Sequence, residues 1–165
     1  MTQSTADALD HFRARIGQDT PPGDWLLITQ ERVNQFADVT DDHQFIHVDP
    51  ERAKNTPFRG TIAHGFLTLS LCLMLPRYRE NGRATESAAG EGQAPRARMS
   101  VNYGLNKVRF PSPVPVGSRI RGSARLLGAE EVSPGVVQTI TQITIEVEGQ
   151  AKPAAVIEMV GRHYY

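Results

Sequence analysis

The densest run of reactive side chains is TDDHQFIHVDP, which carries Asp41, Asp42, His43, His47 and Asp49 within one short segment. Three kinds of chemistry compete for it. His43 and His47 have the i, i+4 spacing of a helical zinc pair, but Gln44 stands where an HExxH motif needs glutamate, so no metal is expected. A structural reading uses the carboxylates to cap turns and the histidines to bond backbone. A catalytic reading takes Asp42 and His47 together, because a carboxylate and an imidazole titrate on opposite sides of a useful range and can act on one water between them. Spacing alone leaves the last two readings open. The second notable stretch is TIAHGFL, where Gly65 opens an apolar segment; a helix N-terminus beginning on glycine offers unpaired N–H groups to a developing oxyanion. His64 reads first as a capping or packing residue. Ser70 and Cys72 lie among leucines with no adjacent base and no GxSxG elbow, which argues against a nucleophile.

Both stretches need elements to hold them. Leu9, Phe12 and Ile16 fall on one side of a short helix ending at Gly17, an accessory segment covering residues 1–23. From residue 24 onward a single domain is expected: a short strand over Trp25 to Ile28, then a helix capped by Thr29 that ends near Thr40. Asp49, Pro50 and Glu51 read as an N-cap, a first-turn proline and a first-turn acid, with a helical turn to about Asn55. The run FLTLSLCLML, apolar on nearly every side, predicts a helix buried all round from Gly65 until Pro76 stops it. Residues 81–98 are small, polar and glycine-rich and read as a mobile insertion. Alternation then takes over at Met99 to Phe110, Arg119 to Leu126, Val137 to Val147 and Ala154 to Val160. An early apolar helix followed by four or five long antiparallel strands predicts an α+β hot-dog arrangement, a sheet wrapped around one buried helix. No GxGxxG or Walker loop points to a nucleotide fold.

The 165 residues allow one domain with a sizeable core. The longest apolar run is far shorter than the roughly 20 residues a membrane span needs. The N-terminal residues lack signal-peptide character and Cys72 is the only cysteine, so a reducing cytoplasm is the expected location. Formal charge is zero but uneven: residues 1–51 carry −7, residues 52–125 carry +10 and residues 126–165 carry −3. A neutral chain is a poor general nucleic-acid binder. Its basic middle, with Arg96, Arg98, Lys107, Arg109, Arg119, Arg121 and Arg125, suits either a small phosphorylated ligand or a set of solvated strand faces.

The stretches FADVTDDHQFIHVDPERA, TIAHGFLTLSL and VNYGLNKVRFPSPVPVGSRIR resemble those of the MaoC-like dehydratases, whose best-known members are the (R)-specific enoyl-CoA hydratases. The likeness spans about residues 24–162. Asp42 and His47 match the family's two catalytic positions with the same spacing, while Gln44 and Phe45 replace its Asn and Pro. The resemblance implies a hot-dog homodimer that adds water to a trans-2-enoyl-CoA, or removes it from a (3R)-hydroxyacyl-CoA, without metal or redox cofactor. Asp42 and His47 would hold the water, one taking its proton while the other donates toward the α-carbon, and the Gly65 N–H would polarise the thioester carbonyl. Gln44, His64, Lys107 and Arg109 are the expected substrate-binding residues. Two alternatives share the fold: an acyl-CoA thioesterase, against which stands the lack of any acid in FLTLSLCLML, and a non-catalytic acyl-CoA-binding regulator, against which stands the intact Asp42 and His47 pair.

Overall fold

The computed structural model describes residues 3–79 and 95–165. The insertion expected at 81–98 therefore lies, up to residue 94, outside the described residues. The chain begins with α1 (Gln3–Arg13) and β1 (Leu26–Leu27), continues through α2 (Gln30–Thr40), α3 (Phe45–Val48), α4 (Pro50–Ala53) and α5 (Gly65–Ser70), and finishes with β2 (Met99–Arg109), β3 (Arg119–Ser133), β4 (Val136–Val147) and β5 (Ala155–Tyr164). The strands form one antiparallel sheet in the order β1-β3-β4-β5-β2. The long strands curl around α5, the hot-dog arrangement expected from the sequence.

The period-2 pattern of β4 sets which face turns inward. Val137, Thr139, Ile143, Ile145 and Val147 are buried, and across the sheet Ile120 and Ile157 join them. Against this face pack Leu67, Cys72 and Leu75 from the central segment and Val33 from α2. Each fully buried aliphatic side chain contributes about 1.5–3 kcal/mol relative to exposure. Close approach is achieved at Gly122, where a Cβ would stand 2.8 Å from the Leu75 Cβ and 3.1 Å from the Pro76 Cδ. A side chain at this position would push the central segment off the sheet.

The central helix is shorter and less enclosed than its sequence predicts. α5 has six residues; the chain then passes through turns into a 3-10 turn at Leu75–Arg77. The Thr68 and Ser70 hydroxyls bond back to the carbonyls of His64 and Phe66, at 3.3 and 2.7 Å, a pattern that slightly destabilises helices. Phe66 is 70% exposed and Leu73 41%, so one side of the segment faces away from the sheet.

α1 lies along β3, with Thr5, Ala8 and Leu9 buried, while Ile16 falls past the helix end and is exposed. The following residues stitch onto β3 through Gly17 N to Leu126 O at 2.8 Å and Thr20 N to Ala124 O at 2.7 Å. Among the described residues no helix is long and apolar enough to cross a membrane.

Candidate active site

Thr29 caps α2 by accepting from the Arg32 N–H at 3.2 Å, as its sequence position predicts. The helix ends at Asp41, whose φ of 57° is left-handed. The chain thereby reverses, and Asp42 follows directly. Asp49 then caps α4 by accepting from the Arg52 N–H at 3.0 Å. Between these two caps α3 carries His47, which is 7% exposed.

His47 is held at both ends. Its carbonyl accepts from Gln30 Nε2 at 2.7 Å, and Gln30 Oε1 accepts from the Thr61 hydroxyl at 2.6 Å. Its ring Nδ1 lies 2.7 Å from the Ile62 carbonyl. Because a carbonyl can only accept, the proton of neutral His47 sits on Nδ1 and Nε2 keeps its lone pair. Burial pushes the His47 pKa below its ordinary value, helped by the adjacent His64, while the Ile62 hydrogen bond and Asp42 oppose the shift. The imidazole is thus neutral and basic at neutral pH.

Asp42 and His47 are brought together. One carboxylate oxygen of Asp42 and one ring nitrogen each of His47 and His64 lie within 4.8 Å of one another. The Asp42 side chain is about half exposed, which leaves its carboxylate open to solvent or ligand. His64 belongs to the same cluster: its Nε2 donates to the Asp42 main-chain carbonyl at 2.9 Å, and its ring stacks on His47 at 3.8 Å between centroids. Gln30 is the positional residue that the sequence did not disclose, since a glutamine in a first helical turn carries no signal of what it will reach.

The trio is poorly shaped for a metal ion. His47 Nδ1 and His64 Nε2 are committed to carbonyls, and the two remaining nitrogens belong to rings stacked with an interplanar angle of 28°. An ion bridging two such rings would lie in the plane of neither, whereas imidazole binds metals along its in-plane lone pair. His43 is not part of the cluster; it is exposed and pairs with Asp38 at 2.9 Å, which raises its pKa.

Gly65 is the first residue of α5, and no side chain caps that end. Its N–H therefore has no partner within the helix. A Cβ here would meet the Phe110 ring at 3.3 Å, so the end of β2 stands beside the helix entry. Arg109, next to Phe110, and Lys107 are exposed on β2; the Arg109 guanidinium donates to the Val108 carbonyl at 2.8 Å. Gln44 is exposed at the N-cap of α3 and makes no side-chain cap bond. Three other basic residues are neutralised: Arg119 by Glu148 at 2.7 Å, Arg121 by Glu146 at 2.9 Å and Arg125 by Asp19 at 2.7 Å. Those three arginines take the solvated-face alternative. Cys72 is buried and its thiol pKa is pushed up by burial, which disfavours the thiolate a nucleophile needs.

Two cavities adjoin the central segment. The larger, about 660 Å³, has apolar walls from Phe12, Leu73, Val101, Leu126, Ile143 and Met159. The smaller, about 270 Å³, lies between Leu69, Ser70 and the β2 residues Asn102 to Leu105 and shares Cys72 and Leu73 with it.

Residues 11–148 match the family described as MaoC like domain. The chain is 48% identical over 159 residues to 3-hydroxyacyl-thioester dehydratase Z of Mycobacterium tuberculosis, covering 96% of this chain and 97% of that protein. It is 43% identical over 145 residues to nodulation protein N of Rhizobium leguminosarum bv. viciae, covering 86% and 81%. Among solved structures it is similar to the (R)-hydratase from A. caviae involved in PHA biosynthesis, with a TM-score of 0.63, 25% identity and coverage of 88% and 94%. With the matched residues spanning most of its length, the chain belongs to the MaoC-like dehydratase family.

Proposed function

We propose that the protein is an (R)-specific enoyl-CoA hydratase, a hydro-lyase that also runs as a 3-hydroxyacyl-CoA dehydratase. The observation that carries this reading is the tautomer lock on His47: the Ile62 carbonyl takes Nδ1–H, leaving Nε2 its lone pair on a ring that has a nitrogen within 4.8 Å of an Asp42 carboxylate oxygen. In the hydration direction a water held between them gives a proton to His47 Nε2 while its oxygen bonds to C3 of the enoyl group. The π electrons move toward the thioester, and the oxyanion is met by the Gly65 N–H. C2 then takes the proton from the His47 imidazolium, which Asp42 stabilises meanwhile. Hydroxyl and proton arrive on the same face, so addition is syn and atoms balance without a cofactor. Dehydration is the same path reversed.

Lys107 and Arg109, on the exposed strand that leads to Phe110 and Gly65, are suited to the CoA phosphates, and Gln44 to the substrate near the dyad. The cavities beside α5 suit the acyl chain. A homodimer belongs to this reading. Among the described residues β2 is an edge strand with no strand on its outer side, and Met99, Tyr103 and Leu105 on it are exposed together with Phe66 of α5. Pairing with a second copy would satisfy the edge and cover these side chains. Cytoplasmic location remains part of the proposal.

The test is incubation with crotonyl-CoA while following the enoyl absorbance. Loss of absorbance with hydroxyacyl-CoA product, abolished in Asp42→Asn, is expected. Release of free thiol would mean a thioesterase, and no change would mean a binding protein.

A further inference from the structure

We propose that His64 is the positioning residue of the Asp42 and His47 pair, fixing the first through its Nε2–H and the second through its ring face. The inference rests on the catalytic reading above and adds to it a role in catalysis without substrate contact. His64 is 2% exposed and wedged between Phe36, at 5.1 Å between centroids, and His47, at 3.8 Å. Its Nε2 donates to the Asp42 carbonyl, and the same nitrogen stands 4.0 Å from the Asp42 carboxylate. One proton thus holds the main chain on which the carboxylate is mounted.

The other nitrogen explains why this residue positions and does not bind. His64 Nδ1 is buried with no hydrogen-bond partner among the described residues. The bond to the Asp42 carbonyl places a ring proton on Nε2, while Nδ1 faces protein. A substrate contact would require an exposed atom, and His64 is only 2% exposed. The ring also matters to the neighbour. The groups acting on the His47 ring are His64 on one face, the Asp42 carboxylate and the Ile62 carbonyl. The His64 ring, stacked 3.8 Å from His47 between centroids, covers that face against water and so sustains the burial that lowers the His47 pKa, while Asp42 favours the charged form.

Two substitutions separate the two grips. His64→Phe keeps a ring against His47 but cannot donate, so turnover should fall by about tenfold or more as Asp42 loosens, with KM and the acid limb of the pH profile nearly unmoved. His64→Gln places an amide donor where Nε2–H was but removes the ring. It should keep turnover within about threefold of the parent and move the acid limb up toward the ordinary histidine value of about 6.5, because His47 regains water. A merely structural His64 would lower thermal stability in both variants and shift neither readout selectively. A measurement on the unaltered protein stands apart from folding of the variants: ¹⁵N–¹H correlation spectra should show a His64 ring proton on Nε2, where the Asp42 carbonyl accepts it. A ring proton found on Nδ1 in place of Nε2, or parental turnover in His64→Phe, would overturn the proposal. If Asp42→Asn and His47→Ala are themselves active, the catalytic reading fails instead.

Discussion

Gln30 ties three pieces of chain together, and replacing it measures how much the site depends on that knot. In Gln30→Leu the volume is nearly kept, but the His47 carbonyl loses a donor at 2.7 Å and the Thr61 hydroxyl loses an acceptor at 2.6 Å. Thr61 is 7% exposed, so its hydroxyl has little water to turn to. Leaving a buried polar group unsatisfied costs about 1–3 kcal/mol, and the half-buried His47 carbonyl adds a smaller amount, so a loss of about 2–4 kcal/mol is expected. Urea unfolding should show it as a lower midpoint with an unchanged slope. Turnover should fall by up to about a hundredfold, since a displacement of about 1 Å in a catalytic group has that effect. Gln30→Glu refines the test. Its carboxylate can accept from Thr61 but would face the His47 carbonyl with no proton to donate. Its folded pKa should therefore be raised, so the folded state binds more protons and stability should increase as pH falls through that pKa. Parental stability and turnover in Gln30→Leu would refute the reasoning.

The dyad itself predicts non-additivity: Asp42→Asn and His47→Ala should each lower turnover by about a hundredfold or more, and the double variant should be about as slow as the worse single one. His43→Ala, which removes an exposed ring paired with Asp38, should leave turnover unchanged. The lowered His47 pKa places the acid limb of kcat/KM below about 6.5. The same shift means that the unfolded chain binds more protons than the folded one as pH falls through that value, so this contribution to stability is complete above it and lost below; His47→Gln should flatten that slope in pH-dependent melting. If Lys107 and Arg109 meet phosphates, KM should rise with ionic strength at constant turnover, and the double alanine variant should lose most of that dependence. Tyr103→Lys on the free edge should shift sedimentation toward a monomer; a parent chain that is monomeric at micromolar concentration would refute the dimer.

What was legible in the sequence was legible for local reasons. Thr29 and Asp49 announce helix starts because an N-cap acts within three residues, and the alternation in β4 reports its buried face because a strand has only two. The pairing of Asp42 with His47 could be read from the family motif, but the grip on His47 could not. Gln30 and Ile62 reach it across 17 and 15 residues, and nothing in the local pattern of either marks a long-range partner. Arg119 and Arg121 illustrate the same limit: their acidic partners Glu148 and Glu146 follow from the β3 to β4 register, which aligns Ile120 with Val147. The overlong helix expected from FLTLSLCLML is a different failure. An apolar run reports the composition of a segment and not how long its helix lasts or which side of it is covered, and Phe66 and Leu73 stay exposed.

The proposed base and the proposed oxyanion donor are both held by one short backbone stretch. Thr61 bonds Gln30, Ile62 receives the His47 proton, His64 holds Asp42, and Gly65 opens α5. This stretch is itself pinned: Ile62 N donates to Ile46 O at 3.0 Å, Ala63 N to Val114 O at 2.8 Å and Val116 N to Thr61 O at 2.9 Å. Three residues span at most roughly 10 Å, so the Ile62 carbonyl that orients His47 and the Gly65 amide proposed to meet the thioester cannot drift far apart. An enoyl thioester needs such a fixed interval, because its carbonyl oxygen and its C3 are separated by a rigid conjugated unit. A six-residue helix suffices for this purpose: its partial positive charge acts within the first turn, and further turns would add little at Gly65. The remainder of the central segment is then free to serve packing, which is why its far end closes onto Gly122 with no room for a methyl group.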